Sequence, residues 1–225
     1  MKLVKPFLAL AIGTCTLCAQ ENTVRFEKYG FAVQTPKGWH LADAFITKMF
    51  STATRAGVVA HAKQKNPEID ASIIETGILL LVSKHPLGAK EDNPNITLSV
   101  EKSWNPRQQD TGATYLKLLA ERFLLLKAPS RLKDEPQKIE SAGVVFYTQD
   151  AINDKVSDAR TKQQYISTYF EGFYVTFVIS YNDKKDPDYQ AMRIMSESFG
   201  VIKKSVQQQD GSYAPPAPRE LKPTP

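Results

Sequence analysis

Tyr29-Gly30-Phe31-Ala32-Val33-Gln34-Thr35-Pro36-Lys37-Gly38-Trp39 is the stretch on which the fold reading turns. Phe31, Val33 and Thr35 alternate with Ala32 and Gln34, the side-chain period of a half-buried strand. Pro36 ends it by fixing φ and removing a ladder donor, and Gly38 supplies the positive φ of a tight turn. Trp39 then follows with a ring large enough to lock the turn onto what comes next. The rest of the chain reads as material that covers or extends this opening strand.

Upstream, Val24-Arg25-Phe26 alternates as a short strand. Before it, residues 1–20 have the form of a secretory leader: Lys2 and Lys5, an apolar run from Pro6 to Gly13, and small residues around Ala19. That run falls short of the about 20 apolar residues a membrane-spanning helix needs. The expectation is export to a periplasm or the exterior, with no transmembrane segment in the mature chain. Both cysteines, Cys15 and Cys18, fall in the leader. Ile12-Gly13-Thr14 is a poor lipid-anchor signature before Cys15, and Ala19 stands where haem attachment would need histidine. The mature domain therefore depends on packing rather than on a disulfide.

Downstream of Trp39, Asp43 is placed to cap a helix. Phe45, Ile46, Met49, Phe50, Ala53, Ala56 and Ala60 recur at helical spacing and read as its core face. The helix should break at Asn66-Pro67, with Pro67 opening another that ends near Gly77 and turns Ile73 and Ile74 inward. Ile78–Val82 is a continuous apolar strand, and Ile96, Leu98 and Val100 alternate with Thr97, Ser99 and Glu101 to give a strand with one polar face. Residues 111–127 form the strongest helix. Its stripe of Tyr115, Leu116, Leu119, Phe123 and Leu126 should face the sheet. Leu118 and Leu125 form a second seam, against a neighbouring helix or an exposed partner surface.

Lys138–Glu140 and Val144–Thr148 are strands joined at Ala142-Gly143. Gln164–Phe170 and Phe173–Tyr181 form an aromatic hairpin about Glu171-Gly172. Pro187 begins a last helix bearing Tyr189, Met192, Ile194, Met195 and Phe199, with Gly200 as its stop. Residues 203–225 are rich in proline and too polar to order themselves, a disordered tail best suited to a spacer. The roughly 180 residues of 21–202 suffice for one buried core.

The 29 basic and 24 acidic residues give a net charge of +5, of which Lys2 and Lys5 leave with the leader. A mature excess of three gives no footprint for nucleic acid. The three histidines, His40, His61 and His85, lie in no metal-ligand or catalytic spacing, and His61 reads as a cation near a helix end. No nucleophile elbow, phosphate loop or dinucleotide fingerprint occurs. No catalytic residue, cofactor or metal follows from the sequence. Trp104 and Arg107, after the strand ending at Ser103, join Leu118 and Leu125 as candidate partner-binding residues, because such rings and guanidinium groups anchor interfaces.

The order of these pieces resembles the PsbP/Mog1-like families, which include small exported bacterial proteins. The matching features are Pro36-Lys37-Gly38-Trp39, Asn95–Glu101, the Tyr115–Leu126 helix, the Tyr165–Tyr181 hairpin and Ser196-Glu197-Ser198-Phe199. The resemblance implies an α+β fold, an antiparallel sheet sandwiched between helices (α/β/α). It also implies a mostly non-enzymatic role, since relatives dock on photosystem II, on a small GTPase or on secreted effectors. The expected function is an exported, non-catalytic binding or accessory domain for an unspecified protein or small ligand. The alternatives are a hydrolase or other enzyme whose site is assembled from scattered residues and an envelope structural protein tethered by its tail.

Overall fold

The computed structural model describes residues 22–90, 92–103, 110–153 and 162–202. The leader, the tail, Trp104 and Arg107 lie outside the described residues.

Two antiparallel sheets share one core. The smaller joins β1 (Thr23–Phe26), β2 (Phe31–Gln34) and β11 (Gly200–Val201) in the order β1-β2-β11. The larger has the order β3-β4-β5-β10-β9-β8-β6, with β7 also paired to β8. Its strands are β3 (His40–Leu41), β4 (Thr76–Ser83), β5 (Asn95–Lys102), β6 (Ser130–Leu132), β7 (Gln137–Ser141), β8 (Val144–Asn153), β9 (Lys162–Phe170) and β10 (Phe173–Tyr181). The opening strand thus does not join the main sheet. It lies across one face of it, held by the chain end that returns as β11.

The turns follow the residues that make them. Ala142 and Gly143, and likewise Glu171 and Gly172, all have positive φ, as tight hairpins with a right-handed strand twist require. Gly38 has a φ of +78° after Pro36, and Trp39 packs against the main core.

Helix α1 (Ala44–Lys65) starts at Asp43, whose carboxylate accepts the Ile46 amide at 2.8 Å, and stops at Asn66 before Pro67. The second helix expected from Pro67 is only a turn at Ala71–Ile73, capped by Asp70; Ile74 is buried and Ile73 is exposed. Helix α2 (Gly112–Leu125) is capped by Thr111, and α3 (Pro187–Glu197) by Asp186 with proline in its first turn. Gly200 does not stop α3. Ser198 caps it, and Gly200 pairs with Ala32.

The main core fills the face between the large sheet, α3 and the small sheet. Phe199 is its hub, stacked 4.9 Å from Phe31 and edge-on to Phe146 and Phe170, each 5.6 Å away. Met192 and Met195 point into it from α3, whereas Ile194 faces solvent. On the opposite face, α2 lies chiefly over β8 and β9 and α1 over β4, completing the helix–sheet–helix arrangement.

Helix α1 is turned the other way from the sequence expectation. Phe45 is 76% exposed, Met49 53% and Phe50 43%, and Ala53, Ala56 and Ala60 are also exposed. Toward the sheet it presents Thr47, Ser51, Thr54, Val58, His61 and Ala62. The reason lies beneath it. There the β4 register shifts between Ile78 and Leu80, and the Ile78 amide turns to Ser51 Oγ at 3.2 Å. That hydrogen bond holds the Ser51 side of the helix to the strand, and Val58 and Ala62 on the same side are buried with Ile74.

Candidate functional site

Because α1 and α2 sit over different strands, the middle of this sheet face stays uncovered. A cleft of about 270 Å³ opens there. Its floor is Thr97 and Ser99 of β5 with Thr176 and Val178 of β10. Ala53, Thr54, Gly57 and Ile78 line one side, and Leu119, Phe123, Leu126 and Tyr165 the other. Alternation in β5 and β10 builds it: Ile96, Leu98, Val175, Phe177 and Ile179 go to the dry core, and their neighbours face the cleft. The floor hydroxyls engage the sheet itself. Thr176 Oγ1 lies 3.0 Å from Ser167 Oγ, and Ser99 Oγ donates to the Thr176 carbonyl at 3.4 Å.

Beside the cleft is a buried ion pair. Arg122 of α2 donates through Nη1 and Nη2 to the two carboxylate oxygens of Glu101 at 2.9 and 2.8 Å. The Tyr115 hydroxyl donates to the same carboxylate at 3.1 Å, and the Tyr115 ring stacks 4.8 Å from Tyr174. Burial opposes the guanidinium charge, but the hydrogen bonds and charge of Glu101 outweigh it and raise the Arg122 pKa. Burial, reinforced by Glu101, pushes the Tyr115 phenol well above its ordinary range. Arg122 lines the cleft, and its buried Nε–H has no acceptor among the described residues.

His61 lies under α1, close to this network but not in the cleft lining. It is 2% exposed, and neither ring nitrogen makes a hydrogen bond among the described residues. Burial lowers its pKa first, and the nearby Arg122 and Lys65 charges lower it further; Glu121 and Glu101 act against them. His61 is therefore not the helix-end cation expected from its position. Its Nε2 lies 3.9 Å from Glu121 Oε2, beyond hydrogen-bond reach, and Glu121 is already paired with Lys65. His40 is exposed and His85 half-buried. Among the described residues, no three His, Cys, Asp or Glu side chains gather in a way that could hold a metal ion.

Of the sequence candidates, Leu118 is half-buried in the cluster of Tyr115, Leu116 and Leu119, and Leu125 is half-buried at the end of α2. Neither lines the cleft. The approach of α2 to α1 is made by Leu126, which faces Gly57 so closely that a Cβ there would lie 3.2 Å from Leu126 Cδ1. Ser103 and Asp110, which flank residues 104–109, are tied together at 2.5 Å, and Asp110 also accepts from the Tyr174 hydroxyl at 2.6 Å. The residues missed from sequence are Arg122 and Glu101. The available signal was a guanidinium set between Leu119 and Phe123 on an otherwise apolar stripe.

No protein-family model matches the chain, and no curated protein does so significantly. The structure is similar to the solution structure of cyanobacterial PsbP (CyanoP) from Synechocystis sp. PCC 6803. The TM-score is 0.50 with 14% identity, over 84% of this chain and 98% of that one. The fold is PsbP-like. At that identity the likeness concerns the backbone arrangement, and a PsbP-like scaffold alone assigns no site. Among the described residues, no helix is long and apolar enough to cross a membrane.

Proposed function

We propose that this PsbP-like chain is an exported, non-catalytic binding domain, and that its ligand site is the cleft between α1 and α2. The observation that carries the reading is an open apolar cleft with a few polar side chains in its lining, the hydroxyls of Thr54 and Thr97 and the side chain of Arg122. Small-molecule sites have this make-up: mostly apolar walls and a few convergent polar groups. The leader-like residues 1–20 support export, and the fold shared with CyanoP supports an accessory role.

The walls also define the ligand. A roughly 150 Å³ apolar cavity takes benzene, so the cleft suits a bicyclic or branched apolar body. Glu101 already compensates the Arg122 charge, so an anionic ligand would be desolvated without gaining a counter-charge. The ligand is a neutral molecule with an apolar body and one acceptor oxygen. His61, outside the cleft lining and without a hydrogen bond, receives no catalytic role in this reading.

Acetylnaphthalene, naphthalene and naphthoate separate these requirements. In nuclear magnetic resonance titrations of the full chain, acetylnaphthalene should bind most tightly and naphthoate most weakly. Shifts should centre on the amides of Thr97, Ser99 and Arg122. Shifts spread over the α3 face, or naphthoate binding best, would overturn the assignment.

A further inference from the structure

Among the described residues, the outward face of α1 has no partner, and its residue sizes are ordered along the helix. Phe45 and Met49 occupy the N-terminal half, Thr52 and Ala53 the middle, and Ala56 and Ala60 the C-terminal half, all exposed. A large-to-small gradient of this kind is self-complementary about a two-fold axis.

We propose that a second copy of this chain docks here, α1 against α1 in antiparallel fashion, with the axis passing between Thr52 and Ala53. Phe45 then seats over Ala60 of the second copy, and Met49 over its Ala56. Each bulky side chain meets a methyl group, so the helices can approach closely along about four turns. A two-fold contact makes every such pairing twice, which is the isologous arrangement of most homodimers.

Charge selects the same orientation. Residues 44–65 contain Lys48, Arg55, Lys63 and Lys65 and no acidic residue, while the capping carboxylate of Asp43 stands at the other end. Antiparallel pairing brings Lys63 of one copy beside Asp43 of the other and opposes the two helix dipoles. Parallel pairing would set Phe45 against Phe45, leave a gap at Ala60, and stack the two basic ends.

Sedimentation of the full chain under reducing conditions, across a concentration series, tests the contact. A reversible monomer–dimer equilibrium is expected. Ala53→Glu places two like charges beside the axis and should weaken it about tenfold or more, with Met49→Glu as a second disrupting variant. Ile194→Glu, at an equally exposed apolar residue on α3, should leave it unchanged, and circular dichroism should show all variants folded. A monomer at every concentration overturns the proposal. So does equal dissociation by Ala53→Glu and Ile194→Glu. Sedimentation of a monomeric chain with anionic phospholipid vesicles would also overturn it, and would assign the face to a lipid surface instead.

Discussion

Arg122 and Glu101 face each other through two parallel hydrogen bonds of 2.9 and 2.8 Å, with side chains only 6% and 1% exposed. The pair joins α2 to β5 and sets one wall of the cleft. Buried pairs of this kind recover their desolvation cost only when both partners are present. Glu101→Gln or Arg122→Met alone should therefore cost about 3–5 kcal/mol in urea unfolding, and the double change Glu101→Leu with Arg122→Met should recover most of that loss. Single and double variants of equal stability would show that the pair is not coupled.

His61 predicts a pH dependence of stability. Its folded pKa lies below the ordinary 6.5, so as pH falls the unfolded chain takes up the proton first. The contribution of neutral His61 is complete above pH 6.5 and is lost progressively as pH falls from there toward the depressed folded value. His61→Leu removes this component. The difference between native and variant unfolding free energies should change across that window and be flat above it. A difference that is flat throughout would place His61 in solvent.

Gly112 opens α2 directly over β9. A Cβ at this residue would lie 2.0 Å from the Ser167 carbonyl oxygen and 2.6 Å from its carbon. Backbone cannot give way as a flexible side chain can. Gly112→Ala should therefore cost about 3 kcal/mol or more, at the upper end of overpacking effects. Thermal unfolding checks this, and a shift no larger than that of an exposed helix substitution would show that α2 stands off the sheet.

The strands and helix caps were legible in the sequence because their causes are local. Alternation marked β5, Pro36-Lys37-Gly38 closed the opening strand, Asp43 began α1, and Glu171-Gly172 joined β9 to β10. The facing of α1 was not legible. Periodicity shows that Phe45, Met49 and Ala53 share a side, but the side that meets the sheet is decided by the sheet. There the Ile78 amide takes Ser51, and Val58 and Ala62 pack with Ile74. The ion pair was hidden for a related reason. Glu101 and Arg122 lie on different elements, and only the docking of α2 on the sheet, chiefly over β8 and β9, brings them together. The small sheet escaped notice because β11 is two residues long and pairs with a strand at the other end of the chain.

Calorimetric titration of acetylnaphthalene into the native chain and into Ser99→Phe decides whether the cleft between α1 and α2 is the ligand site. The introduced ring would stand on the cleft floor and fill it without touching the core on the opposite face. Saturable binding to the native protein and none to the variant is expected, with both equally stable. Undiminished binding to a folded Ser99→Phe protein would contradict it.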